Sequence, residues 1–258
     1  MFRIPTSERR SVRAAKVTRG SCPVFPFDRP KNYNEMLNKI GVSTFLLALG
    51  LTWIVARYVP KIGALLSSDN TEVDVLTLHL KILYVLPAAI IAVVARIIRL
   101  HNCVSTLFGI RARFDLYRIL IPLSASVGVA INDDFRKLLR LNRVRAMQRA
   151  FYVYAGFEEP KISKDVVFAA IEVWTWYWIL LEFLVLLLLA SGFLLIAGAY
   201  QPASLMILTL LVGTFIFLTH YNVCGKKADQ QIDLITSDAS WSTVIRLELE
   251  RLAGTLTM

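Results

Sequence analysis

The chain has 258 residues, 56% of them hydrophobic, with a net charge of +10 and three cysteines. This composition excludes a disordered chain and a disulfide-built scaffold, and its long charge-free apolar stretches exclude an ordinary soluble fold. The positive charge is unevenly distributed, and in an apolar chain that distribution carries topological information.

Residues 1–39 hold nine Lys and Arg side chains, with Pro23, Pro26 and Pro30 in quick succession. Few apolar residues and repeated prolines predict a flexible basic arm. It lacks the apolar core of a cleavable signal, and an arginine-rich organellar transit segment is the alternative. Such an arm suits anionic lipid headgroups, at about 1 kcal/mol per basic residue. Without aromatic interleaving or a fold motif, no nucleic-acid partner is expected.

A first membrane span is predicted over 40–58. The connection 59–79 carries Lys61 against Asp69, Glu72 and Asp74. A second span is predicted over 78–98. Only residues 82–95 are free of charge there, but Lys81 and Arg96 can reach the headgroups from within the apolar slab. Ala88 and Ala92 form a small-residue pair that permits close helix contact.

Residues 99–172 carry twelve Lys and Arg side chains and predict a small helical cytosolic domain. Its start, His101 to Pro122, reads as an elbow turning at Gly109, with Arg111, Arg113 and Asp115 able to cluster beneath the membrane. The apolar run 120–131 is too short to cross and contains Pro122 and Gly128, so it is a buried or re-entrant segment. Asn132-Asp133-Asp134 signals a helix start. The predicted helix 135–155 places Arg136, Arg140 and Arg143 on one basic stripe, facing headgroups or an acidic partner. Gly156 and Pro160 end it.

Third and fourth spans are predicted over 173–199 and 203–221, with the break placed at Pro202. Trp174, Trp176 and Trp178 fit an aromatic belt at the headgroup level. The tail 222–258 predicts an amphipathic helix with Trp241, Val244, Ile245, Leu249 and Leu252 on its apolar stripe. The fold class is therefore all-α: a polytopic membrane protein with four transmembrane helices in two hairpins and a small helical cytosolic domain between them. The excess of basic residues outside the two hairpin connections puts both termini and the middle domain in the cytosol, and the bacterial cytoplasmic membrane is the expected location.

Glu182 is the single formally charged side chain between Glu172 and Lys226. It lies about 9 Å beyond Trp176 at ~1.5 Å per helical residue. Carboxylates at such depth face the bundle interior and have partners, and Arg96 and His220 are the expected ones. The pairing either ties helices together or lines an ion path. His101 with Cys103 and His220 with Cys224 match no known zinc spacing, so no metal or cofactor is expected. Phosphate-binding loops, nucleophile elbows and zincin motifs are missing, so no catalytic residues and no enzymatic activity are expected.

These observations predict a non-enzymatic multipass protein: a self-assembling membrane effector or channel-like module governed by its cytosolic domain. Four helices make a thin bundle, so a homo-oligomer is expected. One alternative is an adaptor that recruits a soluble cytosolic partner, and another is a lipid-modifying enzyme. In layout alone the chain is similar to membrane-disrupting effectors of bacterial antiviral defence systems.

Overall fold

The computed structural model describes residues 29–68, 71–75 and 78–254. Most of the basic arm (residues 1–28, including Cys22) lies outside the described residues. The first helix, α1 (Tyr33–Tyr58), is capped at its start by Asn32, whose side-chain oxygen accepts from the Glu35 amide at 2.8 Å. The Glu35 carboxylate reaches back to the Lys31 amide at 2.8 Å, satisfying a second orphan donor.

A short helix, α2 (Pro60–Ser67), follows, and then two strands, β1 (Glu72–Val75) and β2 (Leu78–Lys81). The strands pair antiparallel with Glu72 opposite Lys81. This corrects the expectation for the second span, whose first four residues lie in a strand. The alternation Glu72-Val73-Asp74-Val75 is a period-two pattern that favours extended backbone. What remains, α3 (Ile82–Ile97), has sixteen residues, or about 24 Å, short of a ~30 Å hydrocarbon core. It continues into α4 (Leu100–Leu107) through a bend of 54°. At that bend Arg99 takes a left-handed conformation, φ 50°, at a cost of about 1–2 kcal/mol.

Gly109, φ 62°, then turns the chain from α4 into α5 (Ile110–Phe114), as expected of the elbow. A π-helical turn, Asp115–Leu120, leads into α6 (Ile121–Ser126). Leu120, Leu123, Ser124 and Val127 are buried, so the apolar run 120–131 is core. Asn132 caps α7 (Asp133–Leu141), accepting from the Phe135 amide at 2.7 Å. The helix expected over 135–155 is broken. The Asn142 side chain bonds back to the Leu138 carbonyl at 3.4 Å, in competition with the helical ladder. Beyond it come α8 (Arg143–Ala146), a second π-helical turn (Met147–Phe151) and α9 (Tyr152–Ala155).

Two long helices follow, α10 (Lys164–Ile196) and α11 (Tyr200–Thr236). They turn at Gly198, φ 78°, and not at Pro202, which sits in the first turn of α11. A proline is tolerated there because the first N–H groups of a helix have no internal partner. Helix α12 (Ala239–Gly254) closes the chain. Asp238 caps it, accepting from the Ser240 and Trp241 amides at 2.8 and 3.2 Å.

Helix α1 packs between α3 and α10, and α10 packs along α11. Gly213 allows the closest approach of that pair, because a Cβ there would stand 2.9 Å from Leu184 Cδ2. The larger core gathers α5 to α9, the first half of α10, the last half of α11 and α12, around Phe114, Leu139, Met147, Tyr177, Ile235 and Leu249. A smaller core, centred on Leu187, Leu194, Ala203 and Met206, joins α1, α10 and α11 near the 197–199 turn.

Among the described residues, α1, α10 and α11 are long and apolar enough to cross a membrane, and α3 with α4 qualifies as a bent pair. Their outer faces are bare: Leu211 is 63% exposed and Phe215 70%, with Leu86, Ile90, Val93 and Leu189 also uncovered. Contiguous apolar faces of this size are those of a membrane protein.

Candidate functional site

The deepest polar cluster lies where α1, α4 and α10 meet. Glu182, on α10, is 3% exposed, and its two carboxylate oxygens serve different helices. Oε2 accepts from the Thr44 hydroxyl of α1 at 2.5 Å. Oε1 accepts from the backbone N–H of His101 at 3.3 Å and lies 2.9 Å from its Nδ1. His101 is the second residue of α4, so Glu182 supplies from another helix the acceptor that an N-cap side chain would otherwise provide. A carboxylate at that end also meets the positive pole of the helix dipole. The left-handed Arg99 is what turns these donors toward α10.

The partner of Glu182 is thus His101, in place of the expected Arg96 or His220. Arg96 instead donates to the Leu37 carbonyl at 3.0 Å and the Asn38 side chain at 2.9 Å, lying over Gly41 of α1. His220 Nε2 is 3.0 Å from the Val173 carbonyl and binds α11 to α10. Both therefore join helices, one step away from Glu182. The 54° bend places His101 beside Glu182, and a straight second span would have carried it past. Thr44 is also buried, and its hydroxyl stands 2.9 Å from the Ile40 carbonyl, so its one proton is shared between that carbonyl and Glu182. A cavity of about 300 Å³ opens between α1 and α3, with Thr44, Arg96, Arg99, His101 and Glu182 on its walls.

A second cluster occupies the elbow below. Asp115, the first residue of a π-helical turn, forms a buried ion pair with Arg143 from beyond the Asn142 break. The Arg111 guanidinium lies near the Tyr152 hydroxyl and Asp115. Burial raises the Asp115 carboxyl above the ordinary aspartate range, even though Arg143 and Arg111 pull it down. Burial, with the Asp115 charge nearby, likewise raises the Tyr152 phenol. The two π-helical turns pack on each other around this cluster, and such turns recur at functional positions.

The basic stripe is divided. Arg143 turns inward to Asp115, whereas Arg136 pairs with Asp133 at 3.4 Å and Arg140 donates to the Tyr117 hydroxyl at 3.3 Å. Arg113 is exposed and outside the Asp115 cluster. Sequence reasoning missed Arg118, which donates to Asn222 at 2.8 Å, covers the face of Tyr221 and fills the space beside Gly225. Its pairing partner lies 104 residues away, and no local signal marks it.

Of the four residues once weighed for a metal, Cys103 donates to the Ile98 carbonyl at 3.1 Å and Cys224 is buried in the larger core. The two histidines are engaged as described above. Among the described residues, no group of three or more His, Cys, Asp or Glu side chains gathers around a common point.

The helices and both clusters fall within a stretch that matches a known family. A family model, the YmfE protein family, covers residues 32–250. The chain belongs to the YmfE family. A relative in Escherichia coli (strain K12), named "Uncharacterized protein YmfE", is 28% identical over 212 residues, which is 77% of this chain and 84% of the relative. No solved structure matches. The family stretch begins at the Asn32 cap of α1 and ends within α12, so Thr44, His101, Asp115, Arg143 and Glu182 all belong to it. Most of the basic arm precedes it.

Proposed function

We propose that this YmfE-family protein is a non-enzymatic, multipass protein of the cytoplasmic membrane: a self-assembling, channel-like module governed from its cytosolic side. In this reading α1, the bent pair α3 and α4, α10 and α11 make four crossings in two hairpins. Both termini and the unit formed by α5 to α9 and α12 face the cytosol, as the charge distribution favours.

One observation carries the proposal. The Glu182 carboxylate, the single formal charge of α10 beyond Glu172, holds α1 through Thr44 and the start of α4 through His101. Helix α4 leads directly into the cytosolic unit. Displacement of that unit therefore acts on two membrane helices through one buried carboxylate, whose bonds must be remade or left unsatisfied. The uncovered apolar faces of α3 and α11 are available to lipid and to further copies of the chain. A pore would form between copies, since one row of four helices encloses none.

The test is reconstitution of the full chain into anionic vesicles with a potential-sensitive dye. Wild-type protein is expected to collapse an imposed ion gradient. Glu182→Gln, which keeps the shape and removes the charge, should slow that collapse. A wild-type protein that leaves the gradient intact, or a Glu182→Gln variant as active as wild type, would sink the proposal.

The adaptor reading keeps one specific support. Arg136, Arg140 and Arg145 project from α7 and α8 on the outer surface. A soluble acidic partner that co-purifies with wild type, and is lost when these arginines are replaced, would favour recruitment over conduction.

A further inference from the structure

Below the Glu182 junction lie two adjoining cavities, of about 440 and 700 Å³. They share a wall made by Asn102, Arg111, Asp115 and Tyr152. We propose that together they form a binding site for a single-chain anionic amphiphile, an acyl chain that ends in an acidic headgroup.

The smaller cavity is the more polar of the two, with Ser105, Arg143 and Gln148 among its other lining residues. Its charges do not cancel. Asp115 is matched by Arg143, and Arg111 meets the neutral hydroxyl of Tyr152 as well as the same Asp115. One cationic charge is left over on the shared wall, and a guanidinium suits a carboxylate or phosphate.

The larger cavity is apolar and aromatic, with Met36, Phe114, Phe151, Ile171, Trp174 and Trp178 on its walls. The Trp174 and Trp178 rings stack at 5.4 Å. Glu158, Glu159 and Lys161 also line it, but Glu158 and Glu159 are exposed and repel an anion, so the headgroup belongs at Arg111. A cavity of this size with few convergent polar groups is the usual form of a small-molecule site.

One buried side-chain atom on the same lining lacks a partner among the described residues. His101 gives Nδ1 to Glu182, and its other ring nitrogen, Nε2, is buried without a hydrogen bond. Native interiors rarely leave such an atom unsatisfied. Gln231, 6% exposed, stands on the same lining. In the larger cavity a ligand hydroxyl can donate to His101 Nε2, and the Gln231 amide can donate to an acyl ester or acid oxygen.

The site does not depend on the conduction reading, because binding is measured without any ion gradient. The full chain, in a neutral detergent, is titrated with dibromostearoyl lysophosphatidic acid, dibromostearic acid and a neutral dibromostearoyl monoacylglycerol. Bromine on the chain quenches tryptophan at contact. The expected result is saturable quenching that vanishes in a Trp174→Phe, Trp178→Phe double variant. Arg111→Gln should weaken binding by about tenfold, the loss of one charge-assisted contact. Gln231→Leu, which leaves the charged wall untouched, should weaken it by a smaller factor and guards against misfolding of the Arg111 variant. Preference for the lysophosphatidic acid identifies a membrane lipid as the source, and equal binding of the fatty acid identifies a free acyl anion. Either result supports the site. Quenching that does not saturate, or equal binding of the neutral probe, would overturn it.

Discussion

Glu182 accepts bonds from α1 and from α4, whose start it caps, so its removal should cost more than removal of either donor. Glu182→Ala leaves the His101 amide and Nδ1 buried without their acceptor, while Thr44 keeps the Ile40 carbonyl, and should destabilise the protein by about 3–5 kcal/mol. Thr44→Val removes one donor and keeps the His101 contacts, so about 1 kcal/mol is expected. Thermal unfolding in detergent measures both, and equal losses would contradict the junction. Asp115 gives a pH signature. Its folded-state carboxyl holds a proton more tightly than in the unfolded chain, because burial outweighs the two arginines. Its contribution to stability is therefore largest below the ordinary aspartate range and falls as pH rises through the raised value. Asp238 has the opposite sign. Its carboxylate, bonded by Ser240 and the Trp241 amide, is held below the ordinary range. That contribution is present above the ordinary range and is lost as pH falls through the lowered value. Asp115→Asn should thus remove the decline of stability on the alkaline side of the aspartate range and leave the acid-side loss in place. A variant whose unfolding tracks wild type at every pH would contradict this assignment.

Helix boundaries followed from the sequence where a side chain announces them and failed where the cause is tertiary. Asn132 was legible as a cap because its partner, the Phe135 amide, is three residues away. Most of the apolar stripe of α12 is legible from spacing: the structure lays Ile245, Leu249 and Leu252 into the larger core with Trp241 against it, while Val244 stays exposed. Leu249→Ala should cost about 2–5 kcal/mol and expose α12 to limited proteolysis before the rest of the chain. Cleavage no faster than in wild type would argue that α12 is held some other way. The α10–α11 turn was misplaced by three or four residues because proline was weighed above glycine. Two glycines in α10 and its turn separate the effects. Gly198→Ala should lose about 1–2 kcal/mol, since open space surrounds it and only its left-handed backbone is strained. Gly192→Ala, with open space and a helical backbone, should be neutral or gain up to about 1 kcal/mol. Equal melting of the two variants would contradict the turn. The His101–Glu182 pairing was hidden because it depends on the bend at Arg99, and nothing in a single arginine advertises a left-handed backbone.

The chain as a unit is amphipathic from end to end, not in separate pieces. Helices α10 and α11 run without a break from bare apolar faces into the polar-rimmed larger core, so the intramembrane helices and the cytosolic unit proposed here share their longest elements. In the proposed topology this continuity makes the junction at Glu182 mechanically consequential, because the elbow between α4 and α5 is there the passage between the two environments. Length and hydropathy made the apolar helices readable in the sequence. The short α3, completed only through its bend, was not readable, because composition does not report a change of direction. The account depends most on which side of the membrane each end of α11 lies. In a variant with Cys22, Cys103 and Cys224 replaced, single cysteines at Ala197 and at Ser237 are probed in intact cells with a membrane-impermeant maleimide. The account predicts labelling at Ala197→Cys from outside, and at Ser237→Cys only after the membrane is opened. Labelling of both from outside, or of Ser237→Cys alone, would contradict it.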